Sequence, residues 1–428
     1  MTTIAILATL DTKASEVEHL AHAVTGLGAV PFLVDIGVIA DSAVVADVTS
    51  ADIAGRGGTP LTVLRENPSR EVASDVMVAG ATSAIIELQE AGKIDAIIGL
   101  GGTQGTDNCC RVMQELPYGF PKIMVSTMAS GDTSSYVGIK DITMMFSVSD
   151  ILGVNPLLRQ ILSNAAGAAV GMTSTARGAE TQRDRPVVGI TNLGVLTTGT
   201  MRAMKRLDEL GYESIVFHAV GSGGRAFEQL MRDGMIDAVF DYALGDLSDA
   251  LLGGLRAADE NRLTVAAELG LPQVVVPGGV DHIGVMLDEP NIVPARYKDR
   301  IHTFHNPSIL VPRTSGEELT EVARVIGERL AGVGDDAVFM IPLGGVSSYS
   351  VDGGALVDRE SDAVFWEALR ESLPGDLRVI EVEAGAEEPA FVDLAVDELV
   401  ALIERAKIDC DFRIRCLLQI KSVGSAVI

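Results

Sequence analysis

Apolar and polar positions along the chain alternate in a fixed rhythm: short runs rich in Val, Ile and Ala, then longer segments whose apolar residues recur at helical spacing. In the first half the short runs cover 3–8, 30–35, 94–100 and 123–126, and the spacing predicts helices over 15–27, 71–90, 106–116 and 155–172. The second half repeats the rhythm with strands at 215–218, 238–240, 273–276, 338–341 and 378–382 and a helix over 389–405. Short runs that are apolar throughout suit strands covered on both faces, so the pattern predicts parallel sheets built from βαβ units.

Between 176 and 185 the chain is polar and lacks apolar periodicity, and Pro186 then opens a new strand. A boundary placed there gives two α/β domains, 1–180 and 186–428, each a Rossmann-like doubly wound fold. They read as copies of one another. Ile4-Ala5-Ile6 and Leu27-Gly28 are matched at one offset by Val187-Val188-Gly189 and Leu210-Gly211, and Gly92-Lys93-Ile94-Asp95 is echoed at a shorter offset by Gly234-Met235-Ile236-Asp237. The first copy therefore carries extra residues, placed mainly between Asp41 and Arg70, and two such domains facing one another form a cleft for a ligand. The tail over 410–428 is mixed in character and is assigned nothing beyond docking onto a domain or a partner subunit.

At 428 residues the chain is long enough for two unaided cores, and 47% hydrophobic against 21% charged residues is a globular balance. The net charge of −26 repels nucleic acid, and no compact Lys/Arg run offers an exception. A phosphate ligand stays compatible, because backbone amides and helix N-termini bind anions locally. Cys109, Cys110, Cys410 and Cys416 fit neither zinc nor disulfide spacing and read as idle thiols. The start lacks a signal-peptide pattern, and the most apolar stretch, 151–172, is interrupted by Asn155, Pro156, Arg159 and Asn164. A cytoplasmic protein without a membrane partner is the expectation.

The strongest chemical signal is Gly99-Leu100-Gly101-Gly102-Thr103-Gln104-Gly105-Thr106, directly after one strand and before a helix. Gly101, Gly102 and Gly105 let the backbone approach a ligand closely, while Thr103 and Thr106 add hydroxyls beside helix amides that attract an anion. It is neither a Walker A loop nor a dinucleotide fingerprint, and it resembles the Gly-Gly-Asp-Gly-Thr phosphate loop of sugar and dinucleotide kinases. A tight turn without a ligand is the alternative. At the first strand's end, Asp11 or Thr12 can cap the helix, or Asp11, Thr12 and Lys13 can face the same sheet edge as Gly101. Thr127, Ser130, Gly131 and Asp132 follow another strand and concentrate polar groups at that edge, unless they form a plain surface turn.

In the second domain Gly221, Gly223 and Gly224 can wrap an anion with Arg225 as counter-charge, and this loop rivals the first. His282, His302 and His305 are candidates for acid/base work beside Arg225, although no nucleophile is identifiable. His-x-x-His in an irregular segment is a weak metal signal, and no metal is assigned. Residues 344–354 form a third glycine- and hydroxyl-rich loop, a lid or an ordinary connection.

Taken together, the residues resemble the Tm-one-like ATP-binding family across essentially the whole chain. The likeness rests on Asp11-Thr12-Lys13 with Glu16, Asp35-Ile36-Gly37-Val38, Gly101-Gly102-Thr103 with Gly105-Thr106, Ser126 to Asp132, Asn164-Ala165-Ala166, and Gly221 to Ala226. It implies two Rossmann-like subdomains, ATP as cofactor with or without Mg²⁺, and a homodimer. Departures lie at Asp241 to Asp246 and Asp281 to Val285, where a different substrate would show. Longer relatives append a TIM barrel, and this chain ends before one. Three functions follow as expectations: a nucleotide-binding protein, an enzyme acting on a phosphorylated or carboxylated metabolite between domains, and a nucleotide-dependent interaction module. Fold likeness gives a ligand class, not a biological role.

Overall fold

Strands that are apolar at nearly every position have no polar face to offer water, so each sheet needs helices on both sides. The computed structural model, which describes residues 1–66, 69–178 and 184–424, meets that need twice. The chain divides into two compact units, Met1–Gln182 and Arg183–Ile428.

The first unit runs β1 (Thr3–Ala8), α1 (Leu10–Gly26), β2 (Val30–Asp35), α2 (Ser50–Arg56), α3 (Leu61–Glu66) and α4 (Arg70–Glu90). It continues with β3 (Ala96–Gly101), α5 (Thr103–Gln114), β4 (Lys122–Ser126), α6 (Ser134–Val137), β5 (Thr143–Phe146) and α7 (Pro156–Gly178). The five strands are parallel in the order β2-β1-β3-β4-β5. Alternate residues serve opposite cores: Ile4, Ile6 and Ala8 of β1 join residues of α1 and α7, whereas Ala5 and Leu7 join residues of α4 and α5. After β1 the chain goes to one side and after β2 it crosses to the other, so the turns following β1 and β3 part and open a crevice at the carboxyl edge.

The second unit comprises β6 (Val187–Asn192), α8 (Thr197–Glu209), β7 (Glu213–His218), α9 (Ser222–Arg232), β8 (Ala238–Ala243), α10 (Gly245–Leu252), α11 (Val265–Leu269) and β9 (Gln273–Gly278). Then come β10 (Val285–Met286), β11 (His302–Asn306), β12 (Ile309–Pro312), α12 (Gly316–Arg329), β13 (Ala337–Pro342), α13 (Arg359–Ser372), β14 (Arg378–Val382) and α14 (Pro389–Gly424). Six strands form a parallel sheet in the order β14-β13-β9-β8-β6-β7, and β10-β12-β11 make a small antiparallel sheet. Val274 and Val276 of β9 face the core shared with α8 and α14, and Val275 faces that of α12 and α13. The architecture is the doubly wound α/β fold read from the sequence.

Several local readings need correction. α1 begins at Leu10 rather than at 15, with no side-chain cap, and a kink at Lys13 (φ −125°, ψ 21°) separates its first turn from the helix that the apolar spacing marks. Asp11 is therefore not a cap. α5 opens at Thr103, not 106, because extended Gly102 lets the helix start immediately after the strand. The stretch between β2 and α4 holds α2, closed by a Thr49/Asp52 capping box, and α3. The antiparallel sheet escaped notice, so His302 and His305 lie on a strand rather than in an irregular segment. α14 also runs past 405 to Gly424.

Candidate functional site

A cavity of about 540 Å³ occupies the crevice between the turns after β1 and β3. That size is within the range of small-ligand sites. One wall is Gly101 to Gly105. Gly101 is confined, since a Cβ there would lie 2.6 Å from the Gly105 Cα, which keeps the turn tight enough for α5 to begin at once. Gly102 faces open space, its nearest neighbour to a Cβ being the Thr127 hydroxyl at 3.9 Å. No side chain caps α5. The amides of its first turn have no partners within the helix, and the helix dipole makes this end attractive to an anion.

Behind this wall the Thr106 hydroxyl is buried, 2.6 Å from that of Ser126 and within reach of the Gly101 carbonyl. Thr106 shapes the turn and does not line the cavity. Thr103 is exposed, with its hydroxyl 3.3 Å from the Met128 sulfur.

The turn after β1 supplies Thr9, Asp11, Thr12 and Lys13. Asp11 Oδ2 accepts the Ile39 amide at 2.8 Å, while its buried Oδ1 has no partner among the described residues. Gly37 lies so close that a Cβ would meet the Asp11 carboxyl carbon at 2.6 Å, so the carboxylate is held by the turn after β2. Next to it Asp35 accepts the Leu10 and Gly37 amides at 3.0 and 2.8 Å. Burial raises the Asp35 carboxyl above its ordinary range, and the charge of Asp11 adds to the effect. The Lys13 ammonium lines the cavity and donates one hydrogen bond to the Ile151 carbonyl, and Glu16 accepts the Gly153 amide.

Of the remaining lining, only Ile36 and Val38 stood out in the sequence, as part of the family likeness. Ile36, Val38, Ile39, Leu64 and Met77 make an apolar wall, and α4 contributes Arg70 and Ser74 opposite Asn108 of α5. Arg70 is exposed at the mouth and has no ion pair among the described residues, whereas Arg65 beside it donates to the Val38 carbonyl and pairs with Asp41. The available signals were weak: an arginine one residue after the cap Ser69, and an asparagine on a helix face otherwise given to Cys109, Val112 and Met113.

Other residues stand apart. Thr127 flanks Gly102 but does not line the cavity, and neither do Ser130, Gly131 and Asp132, which are exposed; the Asp132 carboxylate accepts the Ser134 amide at 2.9 Å. Gly223 and Gly224 belong to the second unit and serve packing. A Cβ on Gly223 would lie 1.8 Å from the His218 carbonyl oxygen, and one on Gly224 2.8 Å from an Asp246 carboxylate oxygen. Arg225 is exposed on α9. His282 is buried, with Nδ1 2.9 Å from Asp281 and Nε2 3.3 Å from Arg256. Burial pushes the Asp281 carboxyl up, but His282, Arg313 and the Ser347 hydroxyl together hold it well below the usual carboxylate range. The 344–354 loop is thus fastened to the core through Ser347 and Ser350, both buried. His302 packs edge-on against Phe304, and His305 is exposed. Among the described residues no three His, Cys, Asp or Glu side chains are grouped to hold a metal ion.

The carboxyl edge of the second sheet is closed by its own side chains. The Glu387 carboxylate accepts the Thr198 and Gly199 amides at the start of α8, at 2.8 and 3.4 Å. Between the turns after β6 and β8, a Cβ on Gly245 would meet the Leu193 side chain at 2.6 Å and the Gly279 carbonyl at 2.8 Å. Below lies a buried cluster in which Arg262 bridges Asp241 (2.5 Å) and Asp246 (2.9 Å).

Residues 2–178 match the N-terminal domain, and residues 185–403 the C-terminal domain, of the Uncharacterised protein family (UPF0261). The chain belongs to that family. A UPF0261 protein of Clostridium tetani is 37% identical over 94% of this chain and 99% of its own length, and one of Mesorhizobium japonicum 38% identical over 91% and 97%. The ToMV resistance protein Tm-1(GCR237) of Solanum lycopersicum is a distant relative, 31% identical over 73% of this chain and 42% of that protein. Among solved structures, Escherichia coli ADP-heptose lps heptosyltransferase II covers 95% of this chain and 100% of its own, at 12% identity and a TM-score of 0.21, a likeness too low to carry an argument about activity. No helix among the described residues is long and apolar enough to cross a membrane.

Proposed function

We propose that this UPF0261 protein binds a nucleotide in the first unit, with the phosphates over Gly101-Gly102-Thr103 and the amides that open α5. The observation that carries this reading is the open, uncapped start of α5 at a cavity of about 540 Å³. In a chain of net charge −26 an anion needs local attraction, and the helix start and the guanidinium of Arg70, without an ion pair among the described residues, supply it. The apolar wall of Val38, Leu64 and Met77 gives a base or sugar a surface that water leaves readily. Asp11, whose buried Oδ1 has no partner among the described residues, is the carboxylate nearest to hand for a cation that accompanies the phosphates, and Mg²⁺ would neutralise phosphate charge there.

ATP with Mg²⁺ is the first probe, because of the resemblance to an ATP-binding family. On the same reading the chain acts as a cytoplasmic homodimer. Calorimetric titration tests the site: ATP binds the wild type, and Gly102→Val, which adds bulk to the turn that would hold the phosphates, weakens it at least about a hundredfold. Equal affinity in the two proteins would remove the phosphates from this turn. Release of product nucleotide during the titration would favour the enzyme reading over pure binding.

A further inference from the structure

The same cavity is also lined by a hydrogen-bonded ring of side chains that the phosphate site does not use. Ser74 of α4 is 8% exposed and Asn108 of α5 6%. The Ser74 hydroxyl donates to Asn108 Oδ1, and Gln104 Nε2 donates to both Ser74 Oγ and Asn108 Oδ1 at 3.1 Å each. The three residues fix one another's orientation, because the Asn108 oxygen accepts from both neighbours and the Gln104 amide group shares a hydrogen between Ser74 Oγ and Asn108 Oδ1. What remains is one group of each kind: the Asn108 Nδ2 donors and the Gln104 Oε1 acceptor have no partner among the described residues. Both side chains line the cavity.

Asn108 lines the cavity and its amide donors are not sealed from water, so water satisfies them until a ligand acceptor takes its place. Leu64 and Met77, 3% and 1% exposed, line the same cavity, which suits a group that is weakly hydrated on its faces and polar at its edge.

We propose that the Ser74, Gln104 and Asn108 ring reads the edge of a nucleobase, Asn108 donating to a ring nitrogen or carbonyl and Gln104 accepting from an adjoining N–H. This rests on the nucleotide reading above and adds a specificity-determining element to it. The ring acts on the base and not on the phosphates, so its variants discriminate between ATP and inorganic tripolyphosphate.

The test is titration of the full chain, in Mg²⁺, with those two probes. Wild-type protein binds ATP at least about tenfold more tightly than tripolyphosphate, a difference of one good hydrogen-bonded contact. Asn108→Leu keeps the volume and charge but removes the donor; it lowers ATP affinity about tenfold and leaves tripolyphosphate within about twofold. Gln104→Ala, at an exposed position, does the same to a smaller degree and decides the matter if Asn108→Leu fails to fold, which the thermal midpoint reveals. No preference for ATP in the wild type, equal loss of both probes, or loss of neither in a folded variant overturns the base-reading role. A different result sinks the nucleotide reading itself: neither probe binding the wild type, or both binding Gly102→Val undiminished.

Discussion

At the carboxyl edge of the first sheet the amides that open α5 face a cavity; at the same edge of the second, those that open α8 are taken by Glu387 and the space between the turns after β6 and β8 is filled by Leu193. Both edges come from strand, turn and helix in the same order. The difference lies in what the glycines do. Gly102 has nothing in front of it and leaves room for a guest, whereas Gly223, Gly224 and Gly245 admit the chain's own carbonyls and side chains. Glycine richness thus serves ligand approach in one unit and close packing in the other, and only the neighbouring atoms tell the two apart.

The sharpest way to break this contrast is at the buried charges. Replacing Arg262 with Met leaves Asp241 and Asp246 uncompensated in the core, and urea unfolding of the second unit is expected to lose about 3–5 kcal/mol. Next comes the glycine pair. Gly223→Ala forces a methyl onto the His218 carbonyl and costs about 3 kcal/mol, while Gly102→Ala, facing open space, changes stability by less than about 1 kcal/mol. Comparable losses at both glycines would erase the distinction.

Glu228 gives a pH signature to the second unit alone. Burial pushes its carboxyl up to about 8, against an attraction from Arg262 that is too weak to reverse it. Below its ordinary value of 4.5 the group is protonated in folded and unfolded chain alike. Between 4.5 and about 8 only the unfolded chain ionises, so the native state binds more protons and stability falls as pH rises. Above about 8 the fall levels off. Glu228→Gln is expected to flatten this segment of the stability profile; an unchanged slope would assign it elsewhere. The smallest expected effect belongs to the first unit: Arg70→Met weakens ATP about tenfold and shifts unfolding by no more than about 0.5 kcal/mol, since the guanidinium has no ion pair among the described residues to lose.

Much of the parallel architecture could be read from the amino acids because β1, β2, β3 and β9 are apolar runs bounded by turns, a pattern few other structures accept. The small sheet was not legible: His302-Thr303-Phe304-His305-Asn306 carries polar residues on both faces, so no apolar alternation marks the tight hairpin it makes with Ile309–Pro312 across Pro307-Ser308. Gly101 to Gly105 announced themselves through position after a strand. Arg70, Ser74 and Asn108 did not, because each is an ordinary residue on an ordinary helix until α4 and α5 are packed together. Of the two readings open for Asp11, cap or cavity-facing carboxylate, the cap falls away, because Oδ2 accepts the Ile39 amide twenty-eight positions away.

Amide hydrogen exchange with and without ATP and Mg²⁺ tests which edge takes the ligand. Added protection across 101–106 and the first turn of α5, with 192–199 and 244–249 unchanged, is the outcome this account requires. Protection at the start of α8 or α10 with none at Gly101 to Thr106 would contradict it.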